Sequence, residues 1–337
     1  MKSILCLLFF LIGFTSSAQL HQLIAVQNGN TPSFYTSLDS AILNAQNDDT
    51  LFLPGGYFPV TVAVDKRIHF VGVGCEIDSN MATGKTEIQG DIILQNNAGG
   101  GTVLGCAITG SISTGENISN FKVWRCSFSS LVMQGNNNNW LLYENAINGE
   151  FRLLQGVTDI YFHNNIIIGY MGWQSYGFNT SVFKNNIFLS DQYRGGYSGA
   201  YLLSADNGIF ENNIFISIYP TQTISRSVFN NNLFVASDPF DYCSECRGAN
   251  NIFGQDKSSI FVDLQAGDYH IQETSPGKTG GKNGTPEGTE VGIYSGLYPW
   301  KEGALPPNPH FELIDVAPKT NIEGNLNVQI KVAAQER

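Results

Sequence analysis

Phe162-His163-Asn164-Asn165-Ile166-Ile167, Phe183-Lys184-Asn185-Asn186-Ile187-Phe188, Phe210-Glu211-Asn212-Asn213-Ile214-Phe215 and Phe229-Asn230-Asn231-Asn232-Leu233-Phe234 are four copies of one hexapeptide. Looser copies run from Val123 to Phe128 and from Leu142 to Ile147. Gly105-Cys106-Ala107-Ile108 is an earlier one, and Asn250-Asn251-Ile252-Phe253 a shorter, later one. Measured at the fourth position (106, 126, 145, 165, 186, 213, 232 and 251), successive copies stand 20, 19, 20, 21, 27, 19 and 19 residues apart. A period near twenty admits leucine-rich repeats and β-helices. The regular leucines of the first are missing, and the unit holds short apolar strands between Asn and Gly turns, with no helical stretch. The pattern selects an all-β parallel solenoid of about ten coils.

In such a fold each coil carries short strands that pair with their equivalents above and below. Phe162, Phe183, Phe210 and Phe229 are expected to stack inside the tube. Asn suits the turn because it tolerates the left-handed backbone region. The side chains of Asn145, Asn165, Asn186, Asn213, Asn232 and Asn251 are expected to form a hydrogen-bonded ladder along the axis. Cys106 and Cys126 hold the same slot in the early coils and read as buried small thiols.

Upstream of the repeats, Leu38, Ala41, Ile42 and Ala45 follow helical spacing, with Ser33 or Thr36 as N-cap. Asp48-Asp49-Thr50-Leu51-Phe52-Leu53-Pro54-Gly55-Gly56-Tyr57 and Ile68-His69-Phe70-Val71-Gly72-Val73-Gly74 follow. This order resembles the capped start of pectate-lyase-like right-handed parallel β-helix proteins, in which a short N-terminal helix covers the open apolar end of the tube. The resemblance spans roughly residues 31 to 275 and implies a right-handed coil. Ser275 to Gly281 and Val291 to Trp300 are similar to the closing segment of secreted β-helix proteins of the Bacteroidetes type. The expected organisation is 1–18 signal peptide, 19–50 N-terminal cap, 51–275 parallel β-helix and 276–337 closing segment and tail. Leu326, Val328, Ile330 and Val332 form one tail strand, a candidate to pack on the terminal coil.

Lys2, the apolar run Ile4 to Phe14 and Ser16-Ser17-Ala18 read as a secretory signal peptide. No later stretch is long and apolar enough to span a bilayer. The expectation is a secreted monomer, extracellular, at the cell surface or periplasmic. A net charge of −11 argues against nucleic acid as a partner. Five cysteines follow the leader, an odd number, so at least one thiol is unpaired within the monomer. Cys243 and Cys246 are a candidate disulfide.

A long parallel face suits an extended polymer, so the expected function is binding of a polysaccharide, with cleavage left open. The alternative is a non-catalytic structural or adhesive surface protein. One outward row comprises Trp124, Tyr143, His163, Lys184, Glu211 and Asn230. It reads either as a sugar-binding stripe or as an ordinary solvated face. The 27-residue gap points to a projecting loop with Tyr193, Arg194 and Tyr197. Tyr170, Trp173 and Tyr176 stand at the matching place one coil earlier, and Arg152 one coil before that. Aromatics beside Arg suit a glycan bearing an acidic group. No catalytic motif of the pectate-lyase-like or polygalacturonase-like families is present. If the protein is an enzyme, a lyase fits better than a hydrolase. No cofactor is expected; calcium is left open but without support, since Glu144, Glu150, Asp191 and Glu211 are too scattered to be a calcium cage.

Overall fold

The computed structural model describes residues 22–29, 31–76, 83–169, 177–190, 204–217, 223–241, 243–281, 290–307 and 309–333. Among them a 12-stranded sheet runs the length of the molecule, beside an 11-stranded sheet and a 3-stranded one. Pairing along the axis is parallel and in register: Val103↔Val123↔Leu142↔Phe162↔Phe183↔Phe210↔Phe229 on the long sheet, and Ile108↔Phe128↔Ile147↔Ile167↔Phe188↔Phe215↔Phe234 on the second. The chain is a parallel β-solenoid, as the repeat requires. It has about eight turns, fewer than the ten expected, because the turns are not all twenty residues long. The step from Phe70 to its partner Val103 takes 33 residues.

Each letter of the hexapeptide has a separate task. The first residue points inward: the Phe162, Phe183, Phe210 and Phe229 rings stack at 4.8, 4.7 and 4.4 Å between centroids. The third takes the left-handed conformation, with φ of 55° at Asn164, 56° at Asn185, 57° at Asn212 and 55° at Asn231. That kink turns the chain from the long sheet into the second one. The fourth is the ladder. Asn186 Nδ2 donates to Asn213 Oδ1 at 3.0 Å and to the Phe162 carbonyl at 3.0 Å. Its own Oδ1 accepts from the backbone N–H and Nδ2 of Asn165, at 2.9 and 3.0 Å. Two donors and two acceptors are thereby all used. The pattern continues through Asn145, Asn165, Asn213, Asn232 and Asn251. Cys126 begins the column with its backbone N–H on Asn145 Oδ1, while its thiol meets the Trp124 carbonyl. Cys75, Cys106 and Cys126 are free and buried, and burial pushes the Cys126 thiol up to about 12, which leaves it un-ionised and inert.

The fifth position shows what the repeat alone did not explain. Ile166, Ile187, Ile214 and Leu233 point away from the core yet are buried, because Val291, Ile293 and Trp300 lie over them. These residues belong to a strap, residues 290–307, that runs back along the corner between the two main sheets. The left-handed residues hold it. Gly292 N–H donates to the Asn212 carbonyl at 2.8 Å, and Asn164 Nδ2 donates to the carbonyls of Ile293 and Ser295, both at 2.7 Å. Gly296, at φ 84°, passes so close to Asn185 that a Cβ there would stand 2.1 Å from its Nδ2.

At the N-terminal end the helix Leu38–Asn44 buries Leu38, Ala41 and Ile42 over the first turn. Its N-cap is Ser37, whose hydroxyl accepts from Ser40 N–H at 3.1 Å. Ser33 instead belongs to the edge strand Thr31–Tyr35. Cys243 and Cys246 form the expected disulfide. The tail differs from expectation: Val328–Ala333 pairs antiparallel with His310–Val316 as a hairpin. Phe311, Ile314, Val316, Val328, Ile330 and Val332 share one of its faces, and all are exposed.

Candidate functional site

The strap makes one wall of a cavity of about 510 Å³ whose floor is the outer face of the long sheet. Thr102, Leu104, Lys122, Trp124 and Tyr143 come from three successive strands, and Leu297, Tyr298, Pro299 and Lys301 from the strap. Register explains the floor, because Leu104, Trp124 and Tyr143 are direct cross-strand partners. The Trp124 and Tyr143 rings stand 4.9 Å apart, and Tyr298 closes on Tyr143 at the same distance.

Arg125 and Glu144 lie beneath this aromatic cluster. They hold the third repeat position, where later turns have Asn, at φ of 51° and 54°. Arg125 Nε donates to Glu144 Oε2 at 2.7 Å, with the side chains 2% and 3% exposed. Arg125 Nη1 donates to the Leu305 carbonyl at 2.5 Å, and Trp124 Nε1 donates to Glu144 Oε1 at 2.9 Å. One ion pair thus fixes the Trp124 ring and clamps the strap. Burial raises the Glu144 carboxyl above its ordinary range; Arg125, Trp124 and Lys301 oppose that shift. Lys122, Arg125 and Lys301 against Glu144 leave the lining with two net positive charges, in a chain of −11. The cavity joins aromatic faces to cationic side chains, a combination that suits sugar rings carrying an acidic group.

The outward row foreseen from the repeat exists in register: Trp124↔Tyr143↔His163↔Lys184↔Glu211↔Asn230. Its members have different surroundings. Trp124 and Tyr143 line the cavity. His163 is half-buried beside Tyr298, at 5.7 Å between ring centroids. Burial, and then Lys184, push its imidazole down to about 4, so it is neutral at pH 7. Lys184 pairs with Glu211 at 2.9 Å. Arg152 lies on a different face, in the strand Phe151–Leu153, and pairs with Glu150 at 2.8 Å. Tyr170, Trp173, Tyr176, Tyr193, Arg194 and Tyr197 lie outside the described residues, as does the signal-peptide segment.

Tyr298, Lys301 and Leu305 were missed as site residues because the strap joins the sheet over a separation of 180 residues between Arg125 and Leu305. A signal was nevertheless present: Arg125 and Glu144 are the only described third-position residues from the 126 copy onward that are not Asn, and they are opposite charges in adjacent turns. No family model, curated protein or solved structure matches this chain. The β-solenoid and the cavity are therefore the basis for assigning its class: a stacked-coil protein with an aromatic, cationic groove under a C-terminal strap.

Proposed function

We propose that the protein is a secreted binder of an extended polysaccharide and that the groove under the strap receives sugar units bearing carboxylate or sulfate groups. The observation that carries this reading is the Trp124, Tyr143 and Tyr298 ring cluster flanked by Lys122 and Lys301. Aromatic faces take the apolar side of a pyranose, and the ammonium groups take the acid. The likeness of the N-terminal cap and coil to pectate-lyase-like proteins supports a carbohydrate ligand by analogy of fold. Export rests on the leader-like N-terminus. The reading is binding, not hydrolysis. Glu144 is the only carboxylate lining the groove among the described residues, and Trp124 and Arg125 already engage it, so hydrolysis by paired carboxylates finds no partner there.

A glycan array spanning acidic and neutral polymers tests the reading, together with an ultraviolet assay for unsaturated uronate products. Binding of acidic glycans without product is expected, and Trp124→Ala or Lys301→Ala should weaken it about tenfold. Absence of any signal across both polymer classes would remove the carbohydrate reading. The adhesive reading is favoured by a different observation, the uncovered apolar face of the C-terminal hairpin. It expects the chain to self-associate or to coat surfaces without glycan.

A further inference from the structure

The row that forms the groove floor does not end at Leu104. Cross-strand register continues it to Val71, then Phe52, then Ala25 and finally Phe34 at the edge of the long sheet. All four are outward-facing. Phe52 is 37% and Phe34 60% exposed, while Ala25 and Val71 are half-buried, low steps between larger rings. Neither phenylalanine serves the core. Their strand neighbours Leu51 and Tyr35 point inward and pack there instead. From Phe34 to Tyr143 there are six strand steps, on the order of 30 Å of apolar and aromatic side chains in one line, with Leu104, 7% exposed, as the lowest step. Beyond Tyr143 the character of the row changes abruptly to His163, Lys184, Glu211 and Asn230. The stripe thus has one open end, at the N-terminal edge, and one closed end, under Tyr298.

We propose that this row is a continuous glycan track: the polymer lies along the solenoid axis, one end in the groove, with Phe52 and Phe34 stacking sugar rings beyond it. This extends the groove reading and rests on it. An elongated ligand is favoured over a globular partner for two reasons. The surface is one residue wide per strand, and it is continuous with a cavity that a protein surface would not enter. Separate rings spaced along a line suit separate sugar units, whereas a protein interface buries a rounded patch with an apolar centre. The track should not recognise acids, since Val71, Phe52, Ala25 and Phe34, which carry the row from the groove to the N-terminal edge, bear no charge. Charge recognition stays at Lys122 and Lys301.

The test is calorimetric titration with two homologous series, oligogalacturonates and cello-oligosaccharides of two to eight units. In the wild-type protein, affinity should keep rising with length beyond the trimer. Phe52→Ala and Phe34→Ala should each remove about fivefold from the affinity of the longest oligomers and leave dimers and trimers unchanged. Both side chains are exposed, so the melting temperature should stay at the wild-type value and separate a lost contact from a lost fold. Trp124→Ala should weaken every length. If length dependence survives in Phe52→Ala/Phe34→Ala while Trp124→Ala still weakens short-oligomer binding, the track is wrong and the groove stands. If neither series binds the wild-type protein at any length, the groove reading fails and takes the track with it.

Discussion

The turns from Asn145 to Asn251 and the turns from Phe70 to Cys126 are built on one plan with different materials. In the first group, the ladder slot is always Asn and each Asn side chain donates to the next in the column. In the second, the ladder slot holds Cys106 and Cys126, the inward slot holds Val103 and Val123, and the left-handed slot holds Gly105 and Arg125. The uniform group is a self-sufficient stack. The other gives up ladder bonds, and at its boundary Arg125 and Glu144 replace them with a buried ion pair that reaches out to the strap. Regularity stabilises the rod. The departures from it mark where the rod is joined to something else.

The largest effect expected from breaking this contrast is Arg125→Ala. It leaves Glu144 buried without its partner and frees the strap at Leu305, at a cost of about 4 kcal/mol in urea unfolding. Asn186→Ala removes a fully bonded ladder residue and orphans the N–H of Asn165 and one of its two Nδ2 protons, the other staying on the Leu142 carbonyl; about 3 kcal/mol is expected from the same titration. The matching change in the other region, Cys126→Ala, should cost only about 1 kcal/mol, because its thiol makes weak bonds. Cys126→Asn sharpens the point. The new side chain can donate to Asn145 Oδ1 and extend the ladder by one turn, so this variant should be as stable as wild type or more so. Equal losses for Asn186→Ala and Cys126→Ala would refute the division.

A pH effect comes next. The His163 imidazole sits at about 4 in the folded chain against an ordinary 6.5, because its surroundings and Lys184 disfavour the cation. A depressed value means that folding binds the neutral form. The stability from this group is present above pH 6.5 and is lost as pH falls toward 4. Thermal melts between pH 7 and 4 should therefore fall more steeply for wild type than for His163→Gln. Parallel curves would show that Tyr298 does not hold the ring dry. The smallest effect is Arg152→Ala, below about 0.5 kcal/mol, since its bond to Glu150 is on the surface.

The solenoid and the ladder were legible in the sequence because their contacts join residues about one turn apart. Equivalent slots repeat their chemistry, so Asn165, Asn186 and Asn213 announce one another. The strap carries no such repetition. Val291, Ile293 and Trp300 explain the apolar fifth position, but nothing near Ile187 or Ile214 in sequence points to them. For the same reason the outward row was visible while its fate was not. Trp124 and Tyr143 read like the rest of that row until Tyr298 stands over them. The tail was seen as one strand because Leu326 to Val332 alternate cleanly. Its partner His310–Val316 begins directly after the proline-rich Pro306-Pro307-Asn308-Pro309, which obscured it.

The double variant Arg125→Asn/Glu144→Asn tests the central claim most directly. It restores at both positions the residue that later turns use for the left-handed kink, so the rod should remain folded. The strap, however, loses its anchor at Leu305 and Trp124 loses its hydrogen bond to Glu144. The measurement is the affinity of this variant for an acidic oligosaccharide that the wild-type protein binds. The account predicts a loss of at least about tenfold with the fold intact. Wild-type affinity in the folded double variant would contradict it.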